Sequence, residues 1–203
     1  MAATRRYNDH HFHFGYFLYA CAALVRLDPA FIAANPARRA AMLALARDVV
    51  NPPPGSSGHS PHFPTARHKD LFDGHSWASG LFPMSNGKSQ ESVSEASHCY
   101  YAAALLADAL QRDPSNPTAS GGDSVAGLGA FASAMLSLEH ASARRYWQLP
   151  PSGSAYGPPY GASAGAVGGV GVYPASFVGA NRMAGVVGGL DVVARTWFGT
   201  DIE

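Results

Sequence analysis

One run of residues limits the fold more than any other. From Ser92 onward, Ala96, Tyr100, Ala103, Ala107 and Leu110 recur at helical spacing and form one apolar face. Asp113-Pro114 stops the pattern. At its head stand Glu91 and Glu95, four residues apart, so their side chains leave the same side of a helix about 5–6 Å apart at Cβ. Carboxylates that close cannot both ionise freely, and the raised pKa of one suits it to proton transfer near neutral pH. A second reading of Glu95 stays open, because Ser92-Val-Ser-Glu95 is also a capping box in which Glu95 bonds back to the Ser92 amide.

The remaining helices follow from similar signals. Phe14, Phe17, Leu18, Cys21 and Val25 keep a helical period up to Leu27-Asp-Pro29, with Asp9 placed as an N-cap. Asn35-Pro36 reads as a cap with proline in the first turn, and Ala41, Leu45 and Val49 continue to Asn51-Pro-Pro-Pro54. Leu128, Phe131, Met135, Leu138, Ser142 and Tyr146 mark one face of a later helix capped by Asp123. The principal helices are expected near 12–27, 37–50, 92–111 and 123–147, with a weaker one over Val186–Val193. Residues 52–63 read as a surface loop, 63–82 as an ordered loop that builds a site, and the Gly-rich 150–172 as a long irregular loop. No strand alternation is convincing, so the expected class is all-α.

Composition narrows the function. Hydrophobic residues make up 47% of the 203, enough for one domain with a core. Lys+Arg and Asp+Glu balance at 14 each and form no basic stripe, which argues against a nucleic-acid partner. No apolar run is long enough to span a membrane. Met1-Ala-Ala-Thr-Arg-Arg lacks the apolar run of a signal peptide. Cys21 and Cys99 lie inside expected helices near apolar faces and read as buried free thiols. His10, His11 and His13 raise a metal reading, but no HExxH, CxxC or carboxylate-rich ligand set accompanies them; neither metal nor cofactor is expected. Nucleotide loops and the G-x-S-x-G elbow are absent.

Carboxylates stand on three chemically rich segments, at Asp9, at Asp73, and at Glu91 with Glu95. Aromatics accompany each: Tyr7, Phe12, Tyr16, Phe72, Trp77, Tyr100 and Tyr101. Opposed carboxyls amid aromatic rings suit a sugar cleft, since rings stack on pyranose faces and two carboxyls carry out hydrolysis.

Four motifs then occur in order: Asn8-Asp-His-His-Phe-His-Phe-Gly-Tyr16, Phe63-Pro64 with Arg67 and Asp70, Asp73-Gly-His-Ser-Trp-Ala-Ser-Gly80, and Gly87-Lys-Ser-Gln-Glu-Ser-Val-Ser-Glu-Ala96. Together they resemble the endo-1,3-beta-glucanases of glycoside hydrolase family 81, over about residues 7–148 and more loosely over 173–200. Arg145-Tyr146-Trp147 and Thr196-Trp-Phe-Gly199 look like later landmarks of that family. The sequence departs from the family pattern at Ser89 and His98, where asparagine is usual.

The resemblance implies a partial (α/α)6 toroid with long site-forming loops. It implies inverting endo-hydrolysis of β-1,3-glucan, with Asp9 as general acid, Glu91 as general base and Glu95 assisting. His13, Asp73, His75 and Trp77 would line the cleft, with Tyr7, Tyr16 and Tyr101 as further substrate-binding residues. Residues 1–203 would be an incomplete catalytic helical domain, without the family's N-terminal β-sandwich and its closing helices. A full-length parent would act outside the cell or in a cell wall. The alternative is a truncated product that binds β-glucan without cleaving it.

Overall fold

The computed structural model describes residues 8–78, 90, 92–113 and 125–144 in full, and 89, 187–188, 194–195 and 201–202 as backbone. Five helices dominate the described residues: α1 (His10–Leu27), α2 (Pro29–Ala33), α3 (Pro36–Val50), α4 (Val93–Arg112) and α5 (Val125–Ser142). Among the described residues, strands are limited to two-residue ladders. β1 (Ser89–Gln90) pairs antiparallel with β2 (Val187–Gly188), and β3 (Ala194–Arg195) with β4 (Asp201–Ile202). The weak helix expected over Val186–Val193 is therefore not formed at Val187–Gly188, where the backbone pairs with the strand before Glu91. Helix-weakening glycines at 185, 188 and 189 leave that choice to a distant partner. Asp123, the later landmarks and the 150–172 loop lie outside the described residues.

The helix termini have local causes. Asp9 takes a left-handed backbone (φ 61°, ψ 10°), and its carbonyl accepts from the amides of Phe12 (3.0 Å) and His13 (2.9 Å), so α1 starts at His10. Asp28 ends α1 and caps the short α2 by accepting from the Phe31 amide. Asn35 caps α3 through the Ala37 amide, with Pro36 in the first turn. Beyond α3, the buried Asn51 side chain donates to the carbonyls of Ser60 (2.9 Å) and Phe63 (2.7 Å), which anchors the proline-rich loop.

The core lies where α4 packs between α1 and α5, with α3 against both neighbours. On α4 the whole expected face is buried: Ala96, Tyr100, Ala103, Ala107 and Leu110, joined by Cys99 and Leu106. Burial of each large side chain here stabilises by about 1.5–3 kcal/mol relative to exposure. On α1 the buried stripe runs His11, Gly15, Leu18, Ala22 and Val25, sharing Leu18 and Val25 with the expected face, and Phe17 is exposed. Close approach of helices decides this. A Cβ on Gly15 would lie 2.9 Å from Cys99 Cα, so only a small residue fits the crossing and the large aromatic turns outward. On α5 the inner stripe is Leu128, Ala132, Met135, Glu139 and Ser142, with Leu138 exposed. Cys99 is buried and Cys21 half-buried, and both are free thiols.

Candidate active site

Residues 63–78 form a folded loop between α3 and β1. Lys69 bridges Ser76, the Asp70 amide donates to His75 O (2.8 Å), and the Trp77 amide donates to His68 O (2.9 Å). Gly74 closes the turn at φ 81°, a conformation glycine adopts without steric cost. Asp70 organises the interior of the loop. Its Oδ1 accepts from the amides of Phe72 and Asp73, and its Oδ2 accepts from Trp77 Nε1 at 3.1 Å. Partial burial raises the Asp70 pKa, but the hydrogen bonds from Trp77, Asp73 and Phe72 outweigh it and hold the carboxyl below its ordinary value.

The end of this loop meets the start of α1. The Asp9 amide donates to Ala78 O at 2.7 Å, which ties the two segments together. Although Asp9 holds the N-cap position, its carboxyl caps no amide; Asn8 Nδ2 donates to its Oδ2 at 2.9 Å. Burial raises the Asp9 pKa and the nearby Glu95 adds to the rise, while His13 and His10 act against it. The net shift is upward. A helix start ordinarily favours the charged form of a carboxyl group, so burial outweighs the dipole here.

Glu95 arrives from the first turn of α4. Its amide donates to Ser92 Oγ at 3.3 Å, so one half of the capping box is made. The Glu95 carboxylate instead accepts from Tyr16 OH on α1, at 2.8 Å. That hydrogen bond to the neutral phenol raises the Tyr16 pKa. The structure thus brings Asp9, His13, Tyr16 and Glu95 together where α1 and α4 begin.

The other expected site residues are placed differently. His75 and Trp77 are buried in the folded loop with their rings edge-on at 4.4 Å, and His75 Nε2 lies 3.9 Å from Asp73 Oδ2. Burial lowers the His75 pKa. Tyr101 is exposed farther along α4. Tyr7 and Glu91 lie outside the described residues. The three early histidines go to separate surroundings. His10 Nδ1 bonds Asp48, which also takes Arg67 Nη2 at 2.7 Å; His11 stacks on His68 at 4.5 Å; His13 is exposed. Among the described residues, no set of three or more His, Cys, Asp or Glu is grouped to hold a metal.

Sequence reasoning missed a buried polar centre behind the loop. Glu139 on α5 accepts from Lys69 Nζ (2.7 Å) and Ser76 Oγ (3.0 Å) at Oε2, and from Gln90 Nε2 (3.3 Å) at Oε1. Ser76 Oγ also meets Tyr100 OH at 2.6 Å. Burial lowers the Lys69 pKa, partly countered by Glu139. The available signal was a carboxylate at the position after Leu128, Ala132 and Met135 on a helical stripe.

Comparisons with known proteins agree with one another. The family model described as the glycosyl hydrolase family 81 C-terminal domain matches residues 3–203. A protein from Arthroderma benhamiae named glucan endo-1,3-beta-D-glucosidase is 49% identical over 96 residues, which cover 47% of this chain and 10% of that protein. A Glycine max protein of the same name is 33% identical over 150 residues, 74% of this chain and 20% of that one. A solved glycoside hydrolase family 81 structure from Clostridium thermocellum superposes with a TM-score of 0.60 at 27% identity, covering 90% of this chain and 20% of that chain. The chain thus spans about a tenth to a fifth of the length of these relatives.

Proposed function

The chain belongs to glycoside hydrolase family 81, and from that premise we propose that it carries the acid–base centre of an endo-acting, inverting β-1,3-glucan hydrolase. Its helices and their likeness to the family 81 structure agree with the α/α toroid-type fold, and we read residues 1–203 as part of a larger helical catalytic domain. The relatives' names, glucan endo-1,3-beta-D-glucosidase, support the substrate class. Among the described residues, no helix is long and apolar enough to cross a membrane.

In this reading Asp9 protonates the glycosidic oxygen as the C1–O bond breaks. Glu91 removes a proton from a water that attacks C1 from the opposite face, giving the inverted anomer. α4 starts at Val93 with Ser92 as its cap, so Glu95 stands in its first turn while Glu91 precedes the helix in the sequence, against the expectation that both share one helix face; the Glu95 carboxylate is steered by the Tyr16 hydroxyl. Only four positions separate Glu95 from Glu91 in the sequence, and this reading takes the acid from another element. His13 and Tyr16 border Asp9 and Glu95, and with Tyr7 and Tyr101 would contact the glucan. Asp73, His75 and Trp77 shape the loop wall.

The observation that carries this reading is the placement of Asp9, half-buried at the start of α1, with its carboxyl capping no amide and standing near Glu95 and His13. An acid must hold its proton, and Asp9 has a raised pKa at a helix start that would otherwise lower it. Reducing-sugar release from laminarin is the test. Asp9→Asn and Glu91→Gln should each lose at least about 100-fold in turnover, the scale of general acid–base catalysis, while laminarin binding persists. Near-normal turnover in Asp9→Asn contradicts the assignment. Binding without release by the unmodified chain favours a non-catalytic glucan-binding role.

A further inference from the structure

Glu139 is fully buried, faces the core from α5, and touches two segments, one 63 and one 49 residues before it in the sequence. At Oε2 it accepts from Ser76, two residues before Ala78, whose carbonyl takes the Asp9 amide at 2.7 Å. At Oε1 it accepts from the buried side chain of Gln90, the residue immediately before Glu91. Lys69 supplies the counter-charge at 2.7 Å and donates as well to Met135 O at 3.1 Å, so the loop is fastened to α5 twice. Tyr100 on α4 completes the enclosure through Ser76.

A buried ion pair is a poor source of net stability, because desolvating two charges offsets most of their attraction. Its directional hydrogen bonds can still hold elements in one relative position. We propose that Glu139 is a positioning residue that sets the separation between the general acid and the general base, one carboxylate oxygen holding the segment of each. The proposal rests on the reading of Asp9 as acid and Glu91 as base. An inverting enzyme needs its two carboxyls about 6.5–9.5 Å apart with a water between, so a shift of about 1 Å in either segment is costly.

The two arms can be cut separately without stranding the Lys69 charge. Gln90→Leu removes the base-side arm and Ser76→Ala the acid-side arm. Each should lower kcat on laminarin about 10-fold or more, with KM changed less than about 3-fold. An aryl β-laminarioside with a good leaving group separates the arms. With that substrate, whose phenolate departs without protonation, Ser76→Ala should recover most of its rate. Gln90→Leu should recover only when azide is added, azide forming the C1–N bond in place of the attacking water. Wild-type kcat in both variants, or losses confined to melting temperature or KM, overturns the role of Glu139 while leaving Asp9 and Glu91 in place. A loss that neither azide nor the good leaving group restores also overturns it. Turnover of laminarin by Asp9→Asn overturns the reading beneath it instead.

Discussion

Asp9 combines a left-handed backbone with a half-buried carboxyl group, and both features act on stability. Its folded pKa lies above the ordinary aspartate value, so the folded state holds the proton more tightly than the unfolded chain does. That contribution is present at low pH and is lost as pH rises through the folded value. Asparagine cannot ionise and enters the left-handed region readily. Asp9→Asn should therefore melt higher than the parent at pH 7 and close to it at pH 4, as thermal unfolding at the two values would show. Lower melting at pH 7 would mean that the carboxylate stabilises the fold. The position of Asp9 was legible in the sequence, but the idle state of its side chain as a cap was not. The same holds for Glu95. Ser92-x-x-Glu95 announces a cap, while the Tyr16 hydroxyl that takes the carboxylate lies 79 residues away in the chain. Glu139 escaped because an acidic residue on a helix reads as solvated until its buried partners are known.

At the scale of elements, the α1–α4 crossing is a close backbone approach, with room for no Cβ at Gly15. Gly15→Val would push a branched side chain into Cys99 and should cost about 1–3 kcal/mol, with activity falling as Asp9 and Glu95 move apart. Denaturant unfolding measures the cost, and a neutral result would show that the helices can separate freely. Cys99 sits in that crossing, and burial pushes its thiol pKa up. A thiol reagent should label Cys21 before Cys99 in the native protein, and Cys99 only on unfolding. The helices α1, α3, α4 and α5 were legible because their periods and stop signals are local. The inward faces of α1 and α5 were legible in part: Leu18, Val25, Leu128, Met135 and Ser142 are buried as expected, whereas Phe17 and Leu138 turn outward and their neighbours Leu18 and Glu139 turn in. The large residues marked these faces in the sequence, whereas Gly15, Ala22 and Ala132 mark them in the fold by allowing close approach. The pairing of β1 with β2 joins residues about a hundred positions apart and has no local signal.

Across the whole molecule, the site is held from behind by buried polar groups that tolerate one protonation state. Burial drives the pKa of His68 down to about 3 and that of His11 well below its ordinary value. Both are neutral in the fold, so their contribution is present above the unfolded value of 6.5 and is lost as pH falls toward the folded one. By pH 5 the His68 contribution alone should fall by on the order of 2 kcal/mol, enough to outweigh the opposite trend at Asp9. A melting curve taken at pH 7 and pH 5 should drop at the lower value, and His68→Phe should flatten that dependence. A melting temperature that rises on acidification contradicts the buried, neutral state of the pair.

The stereochemistry of the first product reports directly on how the two carboxyls are used. Proton NMR of laminaripentaose cleavage, read before mutarotation, should show the α-anomer at the new reducing end, as attack by a Glu91-activated water opposite Asp9 requires. A β-anomer as the first product would mean retention through a glycosyl-enzyme, and would contradict the assignment of Asp9 and Glu91 as a spaced acid and base.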